Sequence, residues 1–244
     1  MSKIFVRDKQ FYKTAVMLAL PIVLQNMITI GLNIIDTFML GSFGEIQIAG
    51  SSLANELINI FHILCMGMGG GAAVLTGMYW GRQDIASIKK YLGIILLYAL
   101  GVGLLFSLIG FFFAEKIILL FNDDPNVVRL GAVYIRTLAF GTFFSGLTYA
   151  FGFASRSIEN AFLPMIASTI ALVTNTFLNY VLIFGHFGAP ALGVEGASLA
   201  TLFARILEAA IILVYVYGKH TPLAVKPSDF DFHPAFLLQD WRTV

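Results

Sequence analysis

The chain has 244 residues, of which 58% are hydrophobic and only 12% are charged. Soluble domains carry about 25% charged residues, so too little polar surface remains to cover a water-soluble particle of this size. The formal net charge of +1 excludes the general basic field of a nucleic-acid-binding protein, and the single cysteine, Cys65, excludes an internal disulfide. The composition therefore predicts a protein whose main partner is the lipid bilayer, with no nucleic-acid partner.

Six stretches are long and apolar enough to cross that bilayer. A hydrocarbon core of about 30 Å takes roughly 20 helical residues, because no backbone amide can stay unpaired in lipid. Spans are predicted at about 14–40, 47–79, 88–114, 133–154, 162–184 and 196–217. The predicted fold class is an all-α, polytopic membrane protein, in which residues 14–217 form one six-helix transmembrane lobe.

The basic residues predict how the lobe is oriented. With the N-terminus inside, the inner segments hold eleven Lys and Arg residues, the outer segments hold three, and Arg205 lies within a span. Cytoplasmic loops carry the Lys and Arg excess, so residues 1–13 are predicted as a cytoplasmic N-terminus and both termini face the cytoplasm. Residues 218–244 are polar and are predicted as a cytoplasmic linker of a truncated chain in the cytoplasmic membrane.

Polar residues in the first span are the first candidates for function, because polar groups are costly in hydrocarbon. Pro21 is expected to kink the helix, and Gln25, Asn33 and Asp36 follow it. Asp36 has two interpretations that the residues leave open. It ends the helix at the water interface, or it is enclosed in a longer helix that continues through Leu40.

The fifth and sixth spans carry a second polar group. Asn175 and Asn179 are four residues apart and share one helical face, and residues 196–201 combine small side chains with the Thr201 hydroxyl. These groups either make interhelical hydrogen bonds or, with a carboxylate, supply oxygen ligands for a sodium ion or tune a proton-exchanging acid.

Two further charged positions lie in the spans. Arg205 and Glu208 are spaced to form an ion pair that compensates its own charge and serves the structure, and Glu56 is expected near the outer leaflet. Phosphate-binding loops, zinc-binding His-Glu-x-x-His and the Gly-x-Ser-x-Gly nucleophile motif are all absent from the sequence. We therefore predict that the protein is not an enzyme and uses no cofactor.

Six segments carry a recognisable pattern in their order and spacing: residues 18–25 and 35–41 of the first span, 79–84, 160–164, 175–185 and 193–201. Together they resemble the N-terminal half of the multidrug and toxic compound extrusion (MATE) transporters. The resemblance implies one lobe of a two-lobe transporter that exports small cationic, amphipathic compounds by antiport against sodium ions or protons.

The resemblance also implies which residues carry function. Asp36 would be the coupling carboxylate, supported by Asn175, Asn179, Thr201 and the Ala197 carbonyl; this set could hold Na⁺, although no tightly bound metal is expected. Cavity residues that contact the substrate are predicted at Gln25, Asn33, Glu56 and Tyr149, although packing is the favoured role for the aromatic residues.

This chain departs from the family pattern at Asn179, where members often carry Asp, so one negative charge is missing. The resemblance covers about half of a family member, so a second six-helix lobe or a homodimer mate is implied. Two alternatives rank below this one: a flippase of lipid-linked precursors, which would need basic residues in its cavity, and a non-transporting membrane remnant or interaction protein.

Overall fold

The computed structural model describes residues 9–226 and Asp229, except for the side chains of residues 9, 11, 14, 18, 32 and 33. The described chain forms α1 (Lys9–Gly41), α2 (Glu45–Gly81), α3 (Ile85–Leu119), α4 (Pro125–Ser157), α5 (Phe162–Phe184) and α6 (Val194–Gly218), with a 3₁₀ turn at His186–Gly188. All six α-helices are long and apolar enough to cross a membrane, which confirms the predicted fold class. Residues 1–8 of the predicted N-terminus and most of the predicted linker lie outside the described residues.

Side-chain caps set where the third and fourth helices begin. Asp84 precedes α3 and accepts hydrogen bonds from the hydroxyl (2.7 Å) and the backbone N–H (3.1 Å) of Ser87, which hold the pKa of Asp84 below its usual value. Asp124 accepts from the backbone N–H of Asn126 at 2.8 Å, and Pro125 occupies the first helical turn. Helix α4 therefore begins at Pro125, well before the span predicted from residue 133, because the cap and the proline outweigh the low hydropathy of this segment.

Glycines allow the helices to approach at backbone distance. A Cβ added at Gly146 of α4 would lie 2.7 Å from the Ala99 carbonyl oxygen of α3, and one at Gly196 of α6 would lie 2.5 Å from the Leu182 carbonyl oxygen of α5. Such contacts leave no room for a side chain, and close van der Waals packing is what holds helices together in lipid. The lobe is thus built around α4, which packs against α2, α3 and α6.

We expect Gly146→Leu to destabilise the lobe, because the new side chain must push α3 away from α4. Overpacking of this kind predicts a fall in melting temperature of roughly 5–10 °C. The only cysteine, Cys65, is buried, so labelling by a thiol-reactive dye reports unfolding of the purified chain in detergent. Gly101→Leu is the matched control, since a Cβ at Gly101 has no neighbour within 4 Å. Equal melting temperatures for the two variants would contradict the packing described here.

Helix α1 lies at the edge of the lobe. It packs along α5 and makes few contacts with α2. Its outward side chains are apolar and exposed, such as Met27 and Phe38, as expected for a helix that meets lipid. Because α1 packs on α5 and makes few contacts with α2, a space remains between α1 and the centre of the lobe, and Gln25 and Asp36 line it.

Candidate functional site

A polar cleft of about 390 Å³ lies within the lobe, lined by residues from α1, α2, α4, α5 and α6. Polar side chains at membrane depth are tolerated where they line a water-filled cavity or meet one another. Of the residues predicted to contact substrate, Gln25, Glu56 and Tyr149 line the cleft. The side chain of the fourth, Asn33, lies outside the described residues. The coupling candidates Asp36 and Thr201 line the same cleft.

The carboxylate of Asp36 meets two amides of α5. Its Oδ1 accepts a hydrogen bond from Nδ2 of Asn179. Assigning the Asn175 amide nitrogen to the side of Asp36 places it 3.1 Å from the same carboxylate oxygen, since the opposite assignment would bring two oxygens together. Both asparagine side chains are buried, and the half-buried Asp36 lies on the wall of the cleft.

Helix α6 completes this group through Thr201. The Asn175 amide oxygen accepts from the Thr201 backbone N–H at 3.2 Å, and the Thr201 hydroxyl donates to the Ala197 carbonyl at 3.0 Å. The five residues singled out from sequence are therefore joined by hydrogen bonds across α1, α5 and α6. Helix α1 continues to Gly41, so Asp36 is enclosed within the helix and does not end it.

One acceptor in this group is left over. Among the described residues, Oδ1 of Asn179 is buried and has no hydrogen-bond partner. A buried amide oxygen without a partner is costly, whereas a carboxylate, amide oxygens, a hydroxyl and a backbone carbonyl together resemble the hard oxygen ligands that bind Na⁺ and Ca²⁺. The arrangement can thus accept a small cation if an amide turns its oxygen toward Asp36.

A second polar group in the cleft joins four helices in a chain of hydrogen bonds. Arg205 and Glu208 form the ion pair expected from their spacing, at 3.0 Å. Glu208 also accepts from the Ser168 hydroxyl at 2.6 Å, and Ser168 in turn accepts from Nε2 of Gln25 at 2.9 Å. Arg156 of α4 donates to Oε1 of Gln25 at 2.6 Å.

Sequence reasoning did not identify part of this lining. Arg156 was counted among the cytoplasmic basic residues, but it lies in the last turn of α4 and lines the cleft. Asn55, Asn59 and His62 of α2 also line the cleft. Their spacing places all three on one helical face, so periodicity in the second span was a usable signal. Ser168 lies seven residues before Asn175 and so shares its helical face, whereas Tyr134, which also lines the cleft, carried no comparable signal.

Comparison with known proteins identifies related chains that match most of the 244 residues. A family model described as MatE matches residues 21–181. The chain is 25% identical over 233 residues to a probable multidrug resistance protein NorM of Agrobacterium fabrum, covering 96% of this chain and 49% of the relative. It is 26% identical over 204 residues to the probable multidrug resistance protein YoeA of Bacillus subtilis, covering 83% of this chain and 44% of the relative.

A solved structure has the same fold. It is described as the outward-facing conformation of a multidrug resistance MATE family transporter of the MOP superfamily. The TM-score is 0.81 at 21% identity, covering 94% of this chain and 50% of the solved one. The chain spans about half the length of the relatives it matches. The predicted resemblance, the one-lobe architecture and the prediction that the protein is not an enzyme are confirmed.

Proposed function

Since the chain belongs to the MatE family, we propose that it forms the N-terminal lobe of an antiporter that exports drugs or other toxic organic compounds. The observation that carries the proposal is the position of Asp36, whose carboxylate contacts buried amides of α5 on the wall of the polar cleft. An acid held in this way is able to exchange a cation with the cleft while its surroundings remain fixed.

The coupling ion, Na⁺ or H⁺, acts on the contacts of Asp36. In the arrangement described, two N–H groups stabilise the ionised carboxylate. A sodium ion beside Asp36 favours the opposite orientation of Asn179, with Oδ1 turned toward the ion. The Thr201 hydroxyl and the Ala197 carbonyl, which are hydrogen-bonded to each other, are linked to this site through Asn175. A proton instead removes the negative charge that holds the amides. Either event replaces the hydrogen bonds between the Asp36 carboxylate and the amides that join α1 to α5.

Export follows if the two states of Asp36 favour different conformations of the lobe. A ligand shifts a conformational balance only by its difference in affinity between the states. The ionised carboxylate attracts a cationic, amphipathic compound into the cleft, and binding of the coupling cation cancels this attraction and releases the compound. The free energy of inward cation flow thereby drives outward movement of the drug.

The remaining parts of the transporter are proposals on the same basis. We expect a second six-helix lobe, in the same polypeptide or as a second copy of this chain, to form the other wall of the transport path. We place the lobe in the cytoplasmic membrane, and the excess of basic residues on one side supports an orientation with both ends of the lobe facing the cytoplasm.

Flux measurements in proteoliposomes test this function and identify the ion. The native assembly that contains this lobe is reconstituted with a fluorescent cationic drug such as ethidium, and a sodium gradient or a pH gradient is imposed separately. We expect at least one gradient to drive uptake of the drug against its own gradient, and collapse of that gradient by an ionophore to stop it. Equal drug movement with and without both gradients would contradict the proposal.

A further inference from the structure

Arg156 carries a charge that no carboxylate neutralises in the described part of the chain. Its guanidinium donates to the neutral Oε1 of Gln25 at 2.6 Å and lies 5.5 Å from the centre of the Phe153 ring. Its Nε is buried and has no hydrogen-bond partner among the described residues. An unpaired guanidinium in a low-dielectric setting is costly, and this one lines the cleft.

The other arginine in the cleft, Arg205, is paired with a carboxylate. Both oxygens of Glu208 are used, one by Arg205 and the other by the Ser168 hydroxyl. Because Ser168 uses its proton on Glu208, it accepts from the Gln25 amide nitrogen, and this fixes the Gln25 oxygen toward Arg156. The chain of hydrogen bonds thus presents a neutral oxygen where an anionic oxygen would bind Arg156 more strongly.

The other acids of the cleft lie too far along the helices to neutralise Arg156. Asp36 is eleven residues from Gln25 on α1, which corresponds to roughly 16 Å. On α2, Gly69 packs against the ring of Phe153, which lies one turn before Arg156 on α4. Glu56 lies thirteen residues before Gly69, which corresponds to roughly 20 Å along the helix. Both distances far exceed the reach of an ion pair.

A purely topological role for Arg156 does not account for this geometry. Arginines that anchor a helix end extend their guanidinium to the headgroups and water. Here the guanidinium turns inward to Gln25 of α1, across the cleft, and its Nε is buried. The arginine therefore belongs to the lining of the cleft.

We propose that Arg156, with Gln25 beside it, binds an anionic group of an organic substrate, a carboxylate or a phosphate. The planar guanidinium pairs with such groups through two parallel hydrogen bonds, and the neighbouring Phe153 ring, 5.5 Å away, supplies no competing acceptor oxygen. The proposal rests on the proposed export function and adds to its substrates compounds that carry an anionic group, alone or with a cationic group that reaches toward Asp36.

Binding of a matched probe pair tests the site without any variant. Dansylglycine and dansylglycinamide share one fluorophore and differ by a carboxylate in place of a neutral amide. The purified chain is titrated with each probe in phosphatidylcholine nanodiscs, and empty nanodiscs give the background. We expect dansylglycine to bind about tenfold more tightly than its amide. Equal affinity of the two probes would overturn the proposal.

Variants then assign the preference to Arg156. Arg156→Gln is expected to abolish the preference for dansylglycine, and Arg156→Lys is expected to retain part of it, since the charge remains but the paired donors are lost. Arg136→Gln is the control, because Arg136 is an exposed arginine that pairs with Glu115. A carboxylate preference that survives Arg156→Gln, or that is lost equally in the Arg136 control, would overturn the assignment.

A lipid phosphate is the other source of the same chemistry, and lipid composition distinguishes it. The ratio of dansylglycine affinities between wild type and Arg156→Gln is measured again with phosphatidylglycerol in the nanodiscs. A ratio within about twofold of its value in phosphatidylcholine alone supports a substrate site. A ratio that falls to one in the presence of phosphatidylglycerol assigns Arg156 to lipid and overturns the proposal. Asp36→Asn should leave the ratio unchanged, so failure of cation coupling and failure of this site give different results.

Discussion

Asp36→Asn is expected to reduce cation-driven export to the level of vesicles without protein, while the abundance of the protein in the membrane stays the same. Asparagine has nearly the shape of aspartate, so the packing of α1 on α5 is retained. It cannot be ionised, so it neither binds a sodium ion with comparable affinity nor exchanges a proton. Ethidium efflux from proteoliposomes that contain the native assembly measures this directly.

Asp123→Asn is the matched control for this substitution. Asp123 is an exposed carboxylate between α3 and α4, outside both helices and remote in sequence from every predicted site residue. The control should export at the wild-type rate. Undiminished drug efflux by Asp36→Asn, at equal protein abundance, would show that the carboxylate of α1 is not the coupling group.

Asn179→Asp is expected to raise the affinity of the lobe for Na⁺ by about tenfold or more. Asn179 is fully buried and touches the Asp36 carboxylate, so the variant places a second negative charge beside the first. Two adjacent carboxylates repel each other unless a cation or a proton lies between them. The variant therefore gains more from a bound cation than the wild-type chain does.

The melting temperature of the purified chain, titrated with NaCl at constant ionic strength, measures this affinity. Asn160→Asp is the control. Asn160 accepts from the Leu163 backbone N–H at the start of α5 and is not hydrogen-bonded to Asp36, Asn175 or Asn179. The control should titrate like the wild type. A sodium midpoint that is unchanged or higher in Asn179→Asp would contradict the proposed ligand set.

The sequence was sufficient to predict the six helices, because the cost of unpaired backbone in lipid forces each apolar stretch into one long helix. It was also sufficient to group Asp36 with Asn175 and Asn179, although the residues alone left the environment of Asp36 open and the family resemblance favoured the enclosed interpretation. The start of α4 was the exception. Asp124 and Pro125 begin this helix by local geometry that a hydropathy window does not detect.

The second polar group could not be predicted in the same way. Arg156 lies near a helix end. A basic residue is expected there whether it faces the cytoplasm or turns inward to the cleft, so the sequence does not distinguish the two roles. The direction of its side chain depends on Gln25, more than a hundred residues earlier in the chain, and on the contact of Gln25 with Ser168 of α5. Such contacts are set by the packing of α1 against α5, which a single sequence does not specify.

Infrared difference spectroscopy of the purified chain tests the central claim that a cation binds at Asp36. Spectra are recorded with and without Na⁺, and across a pH titration, for the wild type and for Asp36→Asn. We predict that one carboxyl signal responds to Na⁺ or to protonation in the wild type and is missing in Asp36→Asn. Superimposable difference spectra for the two proteins would contradict the account, because the cation would then bind elsewhere or not at all.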